Sequence, residues 1–372
     1  MKVPFVDLNQ QYLDHKERLD EVYQDVFQKS IFIGGSTVSD FEQSFQEYIG
    51  TRKAVSVNSG TDALILGTRA LGLKQGDEII FPANTYYATL LSAVANGLSV
   101  VLSDASEDDF GYDLEKLKKA ISKKTKAIML VHLYGQPEKI AEIQKIIRST
   151  GRTIYLLEDS CQAHGARYKG KRVGSFGSFS AFSFYPSKNL GAYGDGGAIT
   201  TNDLELARQM QLLKEYGQTE KYHHISIGFN SRLDTLQAAF LQYKLQHIDA
   251  WNTRRQELAA RYSHYLQIIP EVKLPKAFSE RPSVYHLYVI RTKQRDALQN
   301  YLAEKDITTQ IHYPYPIHLQ KAWSSLGYTK GDFPVAERLA NEILSLPMYP
   351  ELTDEQVRYV CAAIINFFFN FS

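Results

Sequence analysis

In the first part of the chain, short runs of apolar residues alternate with amphipathic segments. Two stretches with helical periodicity, 11–29 and 39–49, come first, and Gly50 closes the second. The elements predicted next are strands at 54–57, 78–81, 99–102, 127–131 and 154–157 and helices at 59–71, 85–96 and 114–121. This alternation predicts an α/β fold with a mainly parallel sheet and helices on both faces.

The second half of the chain begins with a Gly-, Ser- and Phe-rich stretch and continues with longer helical periodicity. The predicted elements are two short strands within 175–185, helices at 203–215, 232–267 and 295–305, strands at 286–290 and 309–313, and two further helices. Pro270 ends the longest helix. We therefore predict a large α/β domain over 1–250 and a smaller α+β domain over 251–372, bridged by that helix.

Composition and charge exclude several classes of protein. A formal net charge of +1 over 372 residues gives no electrostatic reason to expect nucleic acid or a membrane surface as partner. Two distant cysteines predict no disulfide framework. Without a signal pattern or a long apolar run, we expect a cytoplasmic protein. His223 and His224 are adjacent rather than spaced as metal ligands, so no metal is expected.

Several polar residues follow predicted strands, at the edge of the sheet where ligands of parallel sheets bind. The turn Asn58-Ser59-Gly60-Thr61 opens a helix, and its free N–H groups suit a phosphate, to which Ser183 adds a hydroxyl. A simple helix cap by Ser59 or Thr61 explains the same residues, and both interpretations hold together. Tyr86 follows the second strand, where an aromatic ring either stacks on a planar ligand or packs in the core.

Two charged residues point to pyridoxal phosphate (PLP). Asp159 ends an apolar strand, and a carboxylate in that place keeps the nitrogen of a pyridine ring protonated. Lys188 follows a strand and a proline in a Gly-rich loop, and lysine forms Schiff bases with carbonyl groups. Taken singly, an ion-paired aspartate and a solvated lysine explain these residues as well. Their joint order along the chain, together with the phosphate turn and Tyr86, favours the cofactor.

The chain resembles the fold-type-I PLP enzymes, and more closely the nucleotide-sugar aminotransferases of the DegT/StrS type. The segments that carry the resemblance are NSGTDAL (58–64), EDSCQAHGA (158–166), SFYPSKNLGAYGDGGAI (183–199), GFNSRLDTLQAA (228–239) and HYPYPIH (312–318). The resemblance implies a mainly parallel seven-stranded sheet, PLP as cofactor and transamination with L-glutamate as amino donor.

The resemblance also implies residue roles. Lys188 would be the Schiff-base lysine and proton shuttle, and Asp159 would pair with the pyridine nitrogen. The other residues implied to hold the cofactor are Gly60, Thr61, Tyr86, Gln162 and Ser183. Asn230 would reach the cofactor of a neighbouring subunit, which implies a homodimer with shared active sites. The residues implied to lie near the sugar are Tyr185, Tyr313 and His318.

The sugar substrate is inferred from the first residues. The opening VPFVDLNQQY (3–12) resembles relatives that aminate C3 of dTDP-linked 3-keto-6-deoxyhexoses in the synthesis of surface glycans and antibiotics. The alternatives are a 4-aminotransferase on a dTDP- or UDP-linked 4-keto sugar and a PLP-binding regulatory protein without turnover. A dinucleotide-dependent dehydrogenase is excluded because no GxGxxG follows the first strand.

Overall fold

A computed structural model describes residues 1–369 of the chain. Its helices are α1 (Leu8–Asp14), α2 (Lys16–Lys29), α3 (Ser36–Ile49), α4 (Gly60–Ala70), α5 (Tyr87–Val94), α6 (Leu114–Ala120), α7 (Ile140–Ser149), α8 (Leu204–Lys214), α9 (Thr235–Leu245), α10 (Ile248–Leu266), α11 (Arg295–Glu304), α12 (Pro334–Glu342) and α13 (Asp354–Phe369). Its strands are β1 (Lys53–Val57), β2 (Glu78–Pro82), β3 (Ser99–Ser103), β4 (Thr125–Val131), β5 (Tyr155–Asp159), β6 (Arg167–Tyr168), β7 (Lys171–Arg172), β8 (Phe179–Ser183), β9 (Gly197–Thr201), β10 (Gln218–Glu220), β11 (His223–His224), β12 (Tyr288–Arg291) and β13 (Ile343–Leu346).

A seven-stranded sheet in the order β1-β9-β8-β5-β4-β2-β3 forms the centre of the molecule. The five strands from β8 to β3 pair in parallel, and β9 runs antiparallel to both of its neighbours. The strands are short apolar segments buried on both faces, as expected where helices cover a sheet on both sides. The predicted α/β architecture with a mainly parallel sheet is confirmed.

The packing of helix α4 on the sheet places the first turn of the helix at the ligand-binding edge. Its buried face includes Ala63, Leu64 and Leu66. At Gly67 a Cβ atom would lie 2.6 Å from the ring of Phe179, so only glycine lets the helix lie this close to β8. The close approach brings the first turn of α4 next to the end of β8, where Gly60 faces Ser183.

Both long helices predicted from periodicity are broken in the structure. The segment 11–29 divides at His15, and the segment 232–267 divides at Gln246–His247. The two breaks meet, with the His15 and His247 rings 4.8 Å apart. Periodicity continues across each break, so only this tertiary contact reveals it.

The middle of the chain differs from the prediction in two places. Within 175–185 the structure has one strand, β8, rather than two, and its antiparallel neighbour β9 begins only at Gly197. Helix α7 was not predicted. Its apolar positions Ile140, Ile143 and Ile146 do recur at helical spacing and are buried.

The C-terminal part forms a second hydrophobic cluster around α10, α11, α13 and the antiparallel pair β12–β13, which Val3 also joins. The predicted strand at 309–313 is wrong, because that segment makes only an isolated bridge from Gln310 to Ser345, while β12 pairs with β13. The division at 250/251 stays a prediction, and residues 370–372 of the predicted small domain lie outside the described part. Among residues 1–369, no helix combines the length and apolar character needed to cross a bilayer.

Candidate active site

A cavity of about 420 Å³ lies beyond the carboxyl ends of the parallel strands. This is the place where open α/β sheets bind ligands. Its walls bring together nine of the residues singled out from the sequence: Gly60, Thr61, Tyr86, Asp159, Gln162, Ser183, Tyr185, Lys188 and Tyr313. They come from four strand ends and from the C-terminal part, so the fold assembles one site from distant segments.

Lys188 lies on a loop that leaves β8 and is pinned on both sides. The Lys188 N–H donates to the Tyr185 carbonyl at 2.9 Å, which closes a tight turn. The next residue, Asn189, donates from Nδ2 to Asn252 Oδ1 at 2.8 Å and to the Val284 carbonyl at 3.1 Å. These bonds fix the backbone on either side of Lys188, so its amine reaches the cavity from a rigid support.

The surroundings of Lys188 favour its neutral amine. Burial lowers the pKa of Lys188 below its ordinary value of 10.5, and the nearby Asp159 carboxylate offsets this only in part. Two histidines in the cavity wall are also held neutral. Burial lowers the pKa of His312 to about 4 and that of His286 well below its usual value. The cavity therefore holds a lysine amine suited to act as nucleophile and base.

Asp159 ends β5 with its carboxylate fixed by two donors. Thr89 Oγ1 donates to Oδ2 at 2.9 Å, and the backbone N–H of Cys161 donates to Oδ1 at 3.2 Å. Asp159 is buried, and it also lines the cavity. Because each carboxylate oxygen accepts more than one hydrogen bond, the group keeps acceptor capacity for a donor in the cavity.

The adjacent carboxylate, Glu158, has a different environment. Consecutive side chains of a strand point to opposite faces, and Glu158 is fully buried away from the cavity. It accepts hydrogen bonds from the N–H groups of Gly174 and Gly177 at 2.8 and 2.7 Å and contacts His132 Nε2 at 3.2 Å. Burial alone would raise the pKa of Glu158, but these bonds outweigh it and the pKa is lowered. Glu158 is therefore structural, and Asp159 is the carboxylate available to a ligand.

The start of α4 fits the phosphate group of PLP. The N–H groups of Gly60 and Thr61 belong to the first helical turn, where the helix offers no acceptor for them. A Cβ atom at Gly60 would lie 2.6 Å from Ser183 Cβ and 2.9 Å from Cys161 Sγ, so the glycine keeps this corner open. With the hydroxyls of Thr61 and Ser183 also in the wall, these residues offer the donor set that a phosphate requires.

Gln162 connects this part of the cavity to the C-terminal part of the chain. Its Oε1 accepts from the Tyr134 N–H at 2.7 Å, and its Nε2 donates to the Tyr313 hydroxyl at 3.1 Å. The Tyr86 and Tyr313 rings lie 5.1 Å apart, with Tyr86 half exposed. Tyr185 is also exposed. Aromatic rings therefore surround the cavity and suit a planar ring or a sugar.

Two predicted site residues do not line the cavity. His318 is buried, its Nε2 lies 3.1 Å from Glu337 Oε1, and its ring packs 4.8 Å from that of Phe333. The short turn Ile317–Leu319 folds back onto α12, which does not support the predicted contact of His318 with the sugar. Asn230 is exposed outside the cavity, next to the exposed Phe229.

The structure adds residues that the sequence interpretation missed. Thr85 and Thr89 line the cavity beside Asp159, and His286 and His312 lie near Lys188. The threonines carry a detectable signal, because two hydroxyls spaced four residues apart follow a strand at the ligand edge. The histidines are far along the chain from the strands that form this edge, so only the tertiary fold shows that they lie near it.

Comparison with known proteins agrees with this geometry. The model of the DegT/DnrJ/EryC1/StrS aminotransferase family matches residues 13–365. The chain is 44% identical over 362 residues to a dTDP-3-amino-3,6-dideoxy-alpha-D-galactopyranose transaminase of Aneurinibacillus thermoaerophilus, covering 97% of this chain and 98% of that one. It is 41% identical over 374 residues to a pleiotropic regulatory protein of Geobacillus stearothermophilus, covering 100% of both.

Solved structures show the same architecture. The structure of S. venezuelae DesV in complex with a ketimine intermediate superposes with a TM-score of 0.95 at 41% identity, covering 98% of each chain. The Bacillus subtilis ntda structure with bound cofactor PMP superposes with a TM-score of 0.91 at 31% identity, covering 98% of this chain and 85% of that one.

Proposed function

The chain belongs to the DegT/DnrJ/EryC1/StrS aminotransferase family, and from this premise we propose that it transfers the amino group of L-glutamate to a dTDP-linked 3-keto-6-deoxyhexose. It is a PLP-dependent sugar aminotransferase. The predictions of fold type I, enzyme class and cofactor are confirmed. The amino donor, the sugar and the residue roles are the proposal.

The single observation that carries the proposal is that Lys188 and Asp159 line one cavity. When bound, PLP supplies an electron-accepting ring that stabilises negative charge at the amino carbon of the substrate. We assign Lys188 to the aldehyde of PLP and Asp159 to its ring nitrogen. Gly60, Thr61 and Ser183 are assigned to its phosphate group. Gln162 and Tyr86 are assigned to the ring itself.

Lys188 moves the proton in the proposed reaction. Because burial lowers the pKa of Lys188, its Nζ is more often neutral at physiological pH than that of a solvated lysine and accepts the proton from the amino carbon of glutamate. When the sugar is aminated, the same Nζ delivers a proton to the sugar carbon that receives the amine. Of the described residues that line the cavity, Lys188 alone carries an ammonium or guanidinium group.

The sugar and its position of amination are inferred from relatives. The names of relatives at 41–44% identity include dTDP-3-amino sugar transaminases. Another relative, 38% identical, is named for a 3-oxo sugar linked to UDP. These names support amination at C3, and the product of our proposal is a dTDP-3-amino-3,6-dideoxyhexose. Tyr185 and Tyr313 stand at the cavity wall where that sugar would enter.

We also propose a homodimer with shared active sites. Asn230 lies on an exposed segment that includes Tyr222 and Ile227, whose side chains are 82% and 86% exposed. Exposed apolar side chains of this size are typical of contact surfaces. The Gly60 and Thr61 N–H groups and the Ser183 hydroxyl of one chain would hold the phosphate of the cofactor, and the Asn230 amide of a second chain would add another donor. Sedimentation of the purified protein tests the dimer, and a monomer at catalytic concentrations would contradict it.

The test of the proposed reaction offers the purified enzyme, loaded with PLP, both a 3-keto and a 4-keto dTDP-6-deoxyhexose with L-glutamate. We expect 2-oxoglutarate and a 3-amino sugar from the first and at most slow turnover of the second. Exclusive turnover of the 4-keto sugar would reject amination at C3. A protein that binds PLP but forms no 2-oxoglutarate with either sugar would point to a regulatory role instead.

A further inference from the structure

A chain of two threonine hydroxyls ends on the Asp159 carboxylate. Thr89 Oγ1 lies 2.9 Å from Asp159 Oδ2, and Thr85 Oγ1 lies 2.8 Å from Thr89 Oγ1. Both threonines are buried at the start of α5, on the connection that follows β2, and β4 lies between β2 and β5 in the sheet. The contact joins two connections that meet only at the ligand edge of the sheet.

The direction of the hydrogen bonds follows from the chemistry of the groups. An ionised carboxylate only accepts hydrogen bonds, so Thr89 donates its one hydroxyl proton to Asp159. Thr89 then has no proton for Thr85, and Thr85 must donate to Thr89. Donors arranged in series polarise one another, so Thr85 strengthens the bond that Thr89 makes.

We propose that Thr89 is a positioning residue for the reaction, holding the Asp159 carboxylate turned toward the ring nitrogen of the cofactor, with Thr85 orienting Thr89. The inference rests on the proposed role of Asp159 and adds to it. Donors to a carboxylate stabilise its ionised form, and hydrogen bonds to charged groups are stronger than those between neutral groups. The backbone N–H of Cys161 restrains the other oxygen, so the two donors fix the carboxylate plane.

The test uses the holoenzyme loaded with pyridoxal phosphate labelled with ¹⁵N in its ring. The pyridine ¹⁵N chemical shift reports protonation of the ring nitrogen, and a fluorescence titration gives the dissociation constant of the cofactor. Thr89→Val removes the hydroxyl and keeps the side-chain shape. We expect the ¹⁵N signal to move toward the unprotonated position and the dissociation constant to rise about tenfold. In steady-state kinetics kcat falls, while KM for the sugar is unchanged.

Matched variants separate this role from a structural one. Thr89→Ser keeps the hydroxyl and should restore the ¹⁵N shift and the affinity, and Thr85→Val should cause a smaller shift in the same direction. Thr68 of α4 is equally buried, and within residues 1–369 its hydroxyl has no hydrogen-bond partner. Thr68→Val should therefore keep both values of the unsubstituted enzyme. If Thr89→Val does not fold, Thr89→Ala carries the same prediction.

Two results would overturn the inference: a Thr89→Val holoenzyme with unchanged ¹⁵N shift and affinity, or a Thr68→Val holoenzyme with changes as large. Asp159→Asn, measured in the same way, separates this inference from the proposed function. If Asp159→Asn moves the signal and Thr89→Val does not, only the role of Thr89 is wrong. If Asp159→Asn leaves the signal in place, the assignment of Asp159 to the ring nitrogen is itself wrong.

Discussion

The cavity has two walls of different construction. The sheet wall (Gly60, Asp159, Ser183 and Lys188) comes from strand ends and the turns that follow them. The C-terminal wall (Gln310, His312 and Tyr313) comes from an irregular segment that contacts β13 through the isolated bridge from Gln310 to Ser345 and through His312 Nδ1, 2.9 Å from Ser345 Oγ. Parallel strands fix the sheet wall, whereas side-chain contacts such as Gln162 to Tyr313 hold the C-terminal wall.

The difference indicates that the two walls have different functions. The residues to which we assign catalysis and phosphate binding lie on the ends of the sheet strands and the turns that follow, where a rigid support places them accurately. The aromatic and irregular C-terminal wall faces the same space and is free to vary with the shape of the sugar. We therefore expect substitutions in the sheet wall to impair both half-reactions, and substitutions in the C-terminal wall to impair chiefly the half-reaction of the sugar.

The largest effect is expected for Lys188→Ala. Loss of the proton-transferring amine should lower the rate of multiple turnover by about 10²–10⁴ with glutamate and with the sugar alike, because both half-reactions move a proton at carbon. The measurement is 2-oxoglutarate formation under saturating PLP, with Lys188→Arg as a control that keeps the positive charge. Retention of full turnover by either variant would defeat the role of Lys188.

Asp159→Asn is expected to lower kcat by roughly ten- to a hundredfold in both half-reactions, because a charge-assisted hydrogen bond to the ring is lost. Glu158→Gln makes the same change at the next residue, on the opposite face of the sheet. It should lower the thermal unfolding midpoint, since Glu158 accepts hydrogen bonds from Gly174, Phe176 and Gly177, and affect kcat far less. A larger kinetic effect at Glu158 than at Asp159 would reverse our assignment.

The pH dependence of cofactor capture follows from Lys188. Burial disfavours the protonated amine and lowers the pKa of Lys188, and only the neutral amine attacks an aldehyde. The rate of PLP binding to the apoenzyme should rise with pH, by about tenfold per unit below that pKa, and level off below the ordinary lysine value of 10.5. Stopped-flow absorbance measures the rate. A rate that still rises steeply at pH 10.5 would contradict a lowered pKa.

Tyr313→Phe probes the C-terminal wall. It removes the hydroxyl that accepts from Gln162 Nε2, and we expect KM for the sugar to rise by up to about tenfold. The half-reaction with glutamate, measured in single turnover, should change much less. Equal losses of rate in both half-reactions would show that the C-terminal wall does not act chiefly in the half-reaction of the sugar.

The smallest effect on activity is expected for His318→Gln, although the sequence placed this residue near the sugar. Its buried contact with Glu337 makes it structural, so the variant should lose about 1–3 kcal/mol of unfolding free energy. KM for the sugar should stay close to that of the unsubstituted enzyme. A large rise in KM without loss of stability would restore the predicted contact with the substrate.

The residues of the sheet wall could be predicted to share one edge from local patterns taken together in their order along the chain. Turns such as Ser59-Gly60-Thr61 and a strand ending in Asp159 have patterns within a few residues, and the order of strands and helices brings them to one edge. The C-terminal wall has no such pattern. The segment 309–313 looks like a strand, and only the pairing of β12 with β13 leaves it irregular.

Long-range contacts explain the other differences between prediction and structure. The helix breaks at His15 and His247 cannot be detected from periodicity because they lie where the α1–α2 and α9–α10 connections contact each other. The spacing of Thr85 and Thr89 marks a ligand edge, but it does not show which carboxylate Thr89 contacts until the strand carrying Asp159 is placed beside it.

The central claim is that Lys188 is the residue to which the cofactor aldehyde is attached. The most direct test reduces the PLP-loaded enzyme with borohydride and identifies the modified peptide by mass spectrometry. Lys244 is an informative internal control, because burial also lowers its pKa, to about 8, yet its Nζ donates to the Gly191 carbonyl at 2.9 Å and does not line the cavity. We predict a single adduct on Lys188. An adduct on Lys244 or on any other lysine, with Lys188 unmodified, would contradict the account.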